Sequence, residues 1–168
     1  MTLETDLIVS PFPDDPSNDF IKSIYKLNQK NTPEVGSLSS EEELESLIKM
    51  SSCCFFVSSQ TEIVGFIICL REGSKYNSKN YNFFTNKLSK FLYIDRIAIE
   101  SSYRRTGIGK KIYSKIELIA NLNKVPMCCE VNTLPLNEAS INFHKNFGFD
   151  EIGQRNFNSH SVAYFMKL

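Results

Sequence analysis

A short basic segment that contains two glycines is the part of the sequence best suited to bind an anion. Residues 104–110 read RRTGIGK and lie between a strand-like apolar run and a helix-like run. Gly107 and Gly109 have no Cβ atom, so the backbone there can come close to a ligand. The first turn of a helix has unpaired N–H groups and positive potential, and the flanking arginines and lysine add charge. The segment therefore predicts a cradle for a phosphate or pyrophosphate.

The spacing of this segment excludes two common nucleotide-binding motifs. A P-loop requires a glycine, a four-residue gap and then Gly-Lys-Ser/Thr, whereas here Lys111 follows Lys110 and position 104 is arginine. A dinucleotide-binding fingerprint requires a third glycine where this chain has Ile112. The pattern that remains is Arg-x-x-Gly-x-Gly, preceded by a predicted strand.

The rest of the chain predicts the elements that would hold this cradle in place. Apolar runs predict strands at residues 3–10, 53–58, 63–70, 91–99, 127–131, 149–155 and 162–167. Helical spacing predicts helices at 18–30, after a capping box at Ser39 and Ser40, at 107–122 and at 138–146. The polar stretch 73–82 is expected to be an exposed connection. The order β-α-α-β-β-β-α-β-α-β-β predicts one mixed α/β (α+β) domain over residues 1–168.

The composition narrows the classes of function. Lysine plus arginine and aspartate plus glutamate number 19 each, and this neutral balance disfavours sequence-independent binding of nucleic acid. No apolar run is long enough to span a membrane, and the N-terminus lacks the pattern of a signal peptide. With two histidines and no clustered cysteine spacing, we expect no metal site.

The cysteines indicate a reducing compartment. Their number is odd, none forms a CxxC pair, and all lie in apolar, strand-like runs: Cys53, Cys54, Cys69, Cys128 and Cys129. Buried free thiols are typical of proteins in the cytosol, so we expect a cytoplasmic protein.

Two motifs together resemble the GNAT superfamily of acyl-CoA-dependent N-acyltransferases. The glycine segment 104–109 after its strand resembles motif A of that superfamily. Residues 137–149, NEASINFHKNFGF, are similar to the asparagine, small-residue and Gly-Phe signature that follows its fifth strand. The stretches 33–38, 80–84 and 93–96 resemble a bacterial branch of predicted acetyltransferases. The resemblance implies a mostly antiparallel, twisted sheet flanked by helices, with two strands splayed around acyl-CoA.

The resemblance also implies how acetyl-CoA, the expected co-substrate, would bind. Backbone groups of Ile97 and Ile99 would pair with the pantetheine arm, and Asn137 would contact the arm or its sulfur end. The backbone amides of the glycine segment would surround the pyrophosphate, with the side chains of Arg104 and Arg105 in support. The full set implied for the co-substrate is Ile97, Ala98, Ile99, Arg104, Arg105, Thr106, Gly107, Ile108, Gly109, Lys110, Asn137, Ser140 and Phe143.

Acetyl transfer to an amine needs a base, an oxyanion donor and an acid for the departing thiolate. The family commonly has tyrosine seven residues after Asn137, and His144 stands there as a candidate acid or as a packing residue. Asp95 and Glu130 lie in apolar strands where an unpaired charge is costly, so each is either paired with a cation or a candidate base. A water relay would need no single strong base, and a backbone N–H of the 91–99 strand is the expected oxyanion donor.

Three residues are candidates for the acceptor side of the site. Glu34 lies in the loop that borders the acceptor in this superfamily, and it either binds an amine or is simply solvated. Tyr81 and Phe84 either line an acceptor pocket, where aromatic faces suit a cationic amine, or pack on the core. The expected acceptor is a small-molecule amine or a peptide amine.

The function predicted from these features is direct transfer of the acetyl group of acetyl-CoA to a primary amine in a ternary complex. Two alternatives stay open: a catalytically silent acyl-CoA sensor, and an N-acyltransferase that uses a longer acyl-CoA. Neither nucleic acid nor a membrane is expected as a partner. A homodimer through the C-terminal strands is a further expectation from the superfamily.

Overall fold

A seven-stranded sheet organises the chain, of which the computed structural model describes residues 6–168. Its strands are β1 Leu7–Pro11, β2 Cys53–Ser59, β3 Glu62–Arg71, β4 Leu92–Ile99, β5 Met127–Leu134, β6 Asp150–Asn156 and β7 Ser161–Lys167. The helices are α1 Asn18–Lys30, α2 Glu41–Met50, α3 Lys79–Thr85, α4 Ile108–Asn123 and α5 Glu138–Phe147. A 3-10 turn at Ser101–Tyr103 links β4 to the glycine segment.

The strand order is β1-β2-β3-β4-β5-β7-β6, and the strands β4 and β5 at its centre run parallel. Every other neighbouring pair is antiparallel. Within the described residues, β4 and β5 pair only through Leu92 with Met127 and Tyr93 with Cys128. Beyond these two pairs the strands diverge, while β4 stays bonded to β3 and β5 to β7. The sheet therefore opens at its centre into a V.

Helices cover both faces of the sheet. On one face, α1 and α2 bury apolar residues such as Ile24 and Leu44, each fully buried, together with residues of α3. On the other face, α4 buries Ile112 and Ile116, and α5 packs beside it through Phe143. The two apolar clusters fix the sheet from both sides, so the V is held open by packed helices.

The predicted fold class is confirmed, and most predicted elements occur within one or two residues of their expected bounds. The strand predicted at 3–10 is seen at Leu7–Pro11, and residues 3–5 of that prediction lie outside the described residues. Proline is tolerated at the end of this strand because β1 lies at the edge of the sheet. The strand predicted at 127–131 extends to Leu134.

The prediction of an exposed connection at residues 73–82 is wrong for its second half, where α3 forms. Ser78 caps this helix by accepting a hydrogen bond from the backbone N–H of Tyr81 (3.2 Å). Tyr81 and Phe84, three residues apart, are both buried against the sheet. The asparagines of the segment have low helix propensity, so the sequence did not indicate a helix with these two residues on its buried face. Tertiary packing overrides that propensity.

The ring of Phe83 fixes the position of α3 on the sheet, and this generates a prediction. The ring stacks on Tyr164 with 3.8 Å between centroids, and a Cβ atom added to Gly153 would lie 2.9 Å from its Cζ atom. We expect Gly153→Ala to push the ring out of the stack and to lower the free energy of unfolding by about 1–3 kcal/mol in urea denaturation.

The matched control is Gly36→Ala, because the nearest atom to its new Cβ would be 4.0 Å away, an ordinary contact. That variant should be as stable as the wild type or slightly more stable. Equal stability of the two variants would show that the Phe83 stack does not depend on a glycine at position 153.

Candidate active site

A cavity of about 490 Å³ fills the V between β4 and β5. Its walls come from residues 94–97 of β4 and 129–132 of β5. Residues 33–36 of the α1–α2 loop, Asn80 of α3, and Ser159 and His160 of the β6–β7 loop enclose one side. Asn137, Ser140 and His144 of α5, with Tyr113 of α4, form the other. All three predicted catalytic residues, Asp95, Glu130 and His144, therefore border one space.

The glycine segment forms the turn between β4 and α4 that its sequence predicts. Gly107 has φ of +86° and directly precedes the first residue of α4, and Arg105 also has positive φ, +62°. Nothing lies within 4 Å of the position where a Cβ atom of Gly107 would be, so the space beside it is open. Gly109 packs under Phe143, whose Cε2 lies 3.5 Å from its ideal Cβ position. The first turn of α4 thus exposes its N–H groups beside open space.

The two arginines of the segment have different surroundings. Arg104 donates from Nη2 to the side-chain oxygen of Asn31, 2.6 Å away, and so connects the segment to the end of α1. Arg105, Thr106 and Lys110 are exposed. The hydroxyl of Thr106 donates to the carbonyl oxygen of Tyr103 (2.5 Å), which closes the turn. Positive charge therefore remains available beside the N-terminus of α4.

Backbone groups of β4 face the V without a strand partner on that side. Ile97, Ala98 and Ile99 pair with Ile67, Phe66 and Gly65 of β3 on the other side. An extended ligand could thus add to β4 as a further strand, which is how the resemblance places the pantetheine arm. Asn137 caps α5 by accepting from the N–H of Ser140 (3.3 Å), and its side chain borders the cavity.

His144 is buried between α4 and α5 with both ring nitrogens in contact with polar groups. Nδ1 lies 2.7 Å from the carbonyl oxygen of Ser140, and because a carbonyl only accepts, Nδ1 carries the proton. Nε2 then accepts from the hydroxyl of Tyr113, 2.7 Å away. Burial lowers the pKa of His144, although the Ser140 carbonyl opposes this. The ring is therefore neutral near pH 7, and the proton between the two side chains belongs to the Tyr113 hydroxyl.

The side chain of Glu130 projects from β5 toward two side-chain hydrogen-bond donors. Its Oε2 accepts from the hydroxyl of Tyr93 (2.6 Å), and its Oε1 accepts from the amide of Asn80 (3.3 Å). Burial raises its pKa to about 8; the bond from Tyr93 lowers the pKa, and the nearby Asp95 carboxylate raises it. A carboxyl group with a pKa close to the working pH can both take up and release a proton.

Asp95 is paired with its neighbour in sequence. Arg96 donates from Nε to Asp95 (2.8 Å), and its Nη1 donates to the side chain of Asn28 and to the carbonyl oxygen of Gly36. Although burial alone would lower the pKa of Arg96, the Asp95 carboxylate raises it, so the guanidinium stays charged. The pair ties the α1–α2 loop to β4 and borders the cavity.

The three predicted acceptor residues lie in two different environments. Glu34 is exposed at the rim of the cavity. Tyr81 and Phe84 are buried in the core under the sheet, and the Tyr81 hydroxyl donates to the carbonyl oxygen of Arg71 (2.6 Å). From that aromatic stretch it is Asn80 that borders the cavity.

Sequence reasoning missed Tyr93, Asn80 and Tyr113 as polar members of the site. Tyr93 lies in an apolar run two residues before Asp95, but the register of β4 against β3 shifts at Asp95, so simple alternation along the strand does not link the two side chains. Tyr113 and Asn80 reach the cavity only through tertiary packing, and no spacing in the sequence links them to it.

Residues 6–168 contain neither a candidate metal site nor a helix that could cross a membrane. No group of three or more histidine, cysteine, aspartate and glutamate side chains is arranged to hold a metal ion in that part of the chain. No helix there combines the length and the apolar character needed to cross a membrane.

Comparison with known families connects this geometry to one enzyme class. The family model described as "Acetyltransferase (GNAT) family" matches residues 21–149. The chain belongs to the GNAT family of acetyltransferases. The resemblance predicted from its two motifs is confirmed, and membership makes the chain an acetyl-CoA-dependent acyltransferase by class.

Solved structures of GNAT proteins superpose over nearly the whole chain. Ard1 from Thermoplasma volcanium is 18% identical with a TM-score of 0.72, over 96% of each chain. Arabidopsis thaliana NAA60 in complex with acetyl-CoA is 12% identical with a TM-score of 0.74, over 96% of this chain and 98% of that one. The ribosomal-protein-S18-alanine N-acetyltransferase from Escherichia coli is 15% identical with a TM-score of 0.69, over 96% and 92%. At sequence identities this low, the superposition shows that the fold is shared and nothing more.

The raised pKa of Glu130 predicts how stability depends on pH. Between its ordinary value of 4.5 and about 8, the folded state holds a proton that the unfolded state releases. The free energy of unfolding should therefore fall as pH rises through this range. Glutamine has no such proton, so the free energy of unfolding of Glu130→Gln should not fall in this way. The free energy of unfolding of the variant minus that of the wild type should therefore increase by about 2–4 kcal/mol from the acidic to the alkaline end of the range.

Urea denaturation at a series of pH values measures this difference. Glu62→Gln, at an exposed position at the start of β3, is the control and should follow the wild type. A wild-type stability that rises from pH 5 to pH 8 relative to Glu130→Gln would contradict a raised pKa at Glu130.

Proposed function

We propose that this GNAT protein transfers the acetyl group of acetyl-CoA to a primary amine by direct attack in a ternary complex. The observation that carries the proposal is the cavity in the V, where the unpaired edge of β4 and the half-buried Glu130 carboxyl group face one space. The first can position a thioester, and the second can take a proton from an amine.

The donor side of the proposal rests on fit between the chain and acyl-CoA. The pantetheine arm would add to β4 at Ile97 and Ile99, and Asn137 faces the same opening from the start of α5. The pyrophosphate would lie at the N-terminus of α4, where N–H groups, open space at Gly107 and the charges of Arg105 and Lys110 coincide. The complex of Arabidopsis NAA60 with acetyl-CoA supports the same donor for a protein of this fold.

Glu130 is the proposed base. An ammonium group with a pKa of about 10 costs on the order of 4 kcal/mol to deprotonate at neutral pH, so a nearby proton acceptor is useful. The bonds from Tyr93 and Asn80 hold both carboxylate oxygens, and a pKa of about 8 leaves a usable ionised fraction near neutrality. Asp95 is neutralised by Arg96, so we assign this pair the role of holding the α1–α2 loop in place.

The proposed acid is the pair formed by His144 and Tyr113. Since Nδ1 of His144 donates to Ser140, the donor left for a departing thiolate is the Tyr113 hydroxyl, whose O–H bond would turn from Nε2 of His144 toward the sulfur. An acceptor that arrives as an ammonium loses two protons, one to Glu130 before attack and one from its nitrogen after the C–N bond forms. The thiolate takes one proton from Tyr113, the second proton of the nitrogen replaces it there, and the proton on Glu130 goes to solvent, so each turnover releases one proton.

The acceptor is proposed only as a class. Glu34 at the exposed rim would attract a cationic amine, whether a small molecule or the N-terminus of a peptide. The name of the Escherichia coli relative, a ribosomal-protein-S18-alanine N-acetyltransferase, supports a peptide amine. The five free cysteines, of which burial raises the pKa of Cys54 and Cys128 to about 12, support a protein that works in a reducing cytoplasm.

The donor site predicts a contrast between two glycines with the same backbone conformation. Gly107 and Gly73 have φ of +86° and +79°, and neither would bring a new Cβ atom within 4 Å of another atom. Alanine at either position should cost a similar amount of stability, about 1 kcal/mol. Only Gly107→Ala should weaken acetyl-CoA binding, by about tenfold in calorimetry, because its Cβ atom enters the proposed pyrophosphate site. Equal affinity of the two variants would contradict the cradle at Gly107.

Catalysis is tested by acetyl-CoA turnover against a panel of primary amines, amino acids and short peptides with free N-termini. The wild type should acetylate at least one member. Glu130→Gln should lower kcat about 100-fold, and Tyr113→Phe about tenfold, while affinity for acetyl-CoA stays unchanged. Glu62→Gln is again the control.

Two outcomes would overturn parts of this proposal. Tight acetyl-CoA binding with no turnover on any amine would indicate an acyl-CoA sensor. Full activity of Glu130→Gln would mean that the amine loses its proton through water or another group.

A further inference from the structure

Helix α3 brings one polar side chain to the proposed base. Asn80 donates from its amide nitrogen to Oε1 of Glu130, 3.3 Å away. The amide oxygen of Asn80 accepts from the hydroxyl of Tyr164, 2.8 Å away. Because a hydroxyl bonded to the amide oxygen leaves the NH₂ group pointing the other way, Tyr164 fixes which end of the amide faces Glu130.

We propose that Asn80 is a positioning residue for Glu130, oriented by Tyr164, and that it makes the ionised form of this base easier to reach. This inference rests on the proposed function, in which Glu130 takes the proton of the acceptor amine. Asn80 acts through the carboxylate and needs no contact with the reacting atoms.

The carboxylate is held at both oxygens by donors from different elements. Tyr93 of β4 donates to Oε2 at 2.6 Å, while Asn80 donates to Oε1. Two donors on separate oxygens fix the plane of the carboxylate. An amide donor also favours the charged form, since a hydrogen bond to a carboxylate is stronger than one to a neutral acid.

The packing of α3 makes this contact rigid. Phe83 stacks on the ring of Tyr164, the same residue whose hydroxyl orients Asn80. Tyr81 and Phe84, which lie close to Phe83 in the same helix, are buried among the aromatic rings of the core. The helix thus reaches Glu130 as part of the core, so Asn80 cannot shift without breaking ring contacts.

Other ionisable groups around Glu130 contribute to its titration. Those on β4 are Tyr93, Asp95 and Arg96, and those on other elements are Tyr76, Tyr113, Cys129 and Tyr164. Glu34 and His160 border the same cavity from two loops. Asn80→Ala changes none of these groups, so a shift in the pKa of Glu130 in that variant reports the amide contact, whereas Asn80→Asp adds a charge and Tyr164→Phe removes the hydroxyl that orients the amide.

The test is a direct titration of Glu130 by NMR, with the carboxyl carbons of glutamate labelled with ¹³C. Glu130→Gln identifies the signal. The wild type should titrate near pH 8. Asn80→Ala should raise the pKa by about half a pH unit, the size expected from losing one hydrogen bond, and Asn80→Asp should raise it further by adding a second carboxylate.

The matched control is Asn82→Ala, which removes the same side chain from an exposed position on the same helix. It should leave the titration and kcat unchanged. Tyr164→Phe keeps the ring that stacks on Phe83 and removes only the hydroxyl, so it should raise the pKa by less than Asn80→Ala does. The acidic limb of kcat/KM should move in the same direction in each variant, with the KM for acetyl-CoA unchanged.

A purely structural role for Asn80 would lower the melting temperature in Asn80→Ala without moving the pKa of Glu130, and that result would overturn the inference. If Asn80→Ala fails to fold, Asn80→Asp and Tyr164→Phe decide, and unchanged titrations in both would also overturn it. If the wild type acetylates no amine, the proposed function fails, while the NMR titration still decides whether Asn80 controls Glu130.

Discussion

The two hydrogen-bonded pairs between β4 and β5 are the constraint on which the rest of this structure depends. After Tyr93 and Cys128 the strands separate, so each has an edge of backbone donors and acceptors that faces the other across a gap. Unpaired edges of a sheet readily accept an added strand. The gap can therefore accept an extended ligand through backbone groups alone, before any side chain is considered. Helices packed on both faces prevent the strands from closing it.

The two carboxyl groups inside the V, those of Asp95 and Glu130, have different hydrogen-bond partners. Asp95 and Arg96 neutralise each other, and the remaining donor capacity of Arg96 binds the α1–α2 loop, so burial of this pair also places one wall of the cavity. Among residues 6–168, Glu130 is bonded to no cation and is held by a hydroxyl and an amide. Burial raises its pKa, and the hydrogen bond from Tyr93 offsets only part of that rise. One acid is thereby structural, and the other is suited to proton transfer.

At position 144 the chain departs from the residue that is usual in the family, and a neighbouring side chain compensates for the difference. Histidine stands where the family commonly has tyrosine, and the contact with the Tyr113 hydroxyl keeps a phenol beside the cavity from a different helix. The backbone carbonyl of Ser140 fixes the tautomer of the ring. The chemical group expected at this place is thus supplied by α4 instead of α5.

The sequence by itself predicted the fold class, the order of the elements along the chain and the glycine turn, because these depend on local periodicity and on backbone conformations that only a few residue types favour. It also named Glu130 and Asp95 as candidates, since a charge in an apolar strand is costly without a partner or a role, and His144 by its position in the family motif. Only the tertiary structure decided which of them is paired, which hydroxyl His144 contacts, and that α3 exists. Those outcomes depend on contacts between residues far apart in the chain, such as Asn80 with Glu130, and no local pattern encodes the distance between such residues.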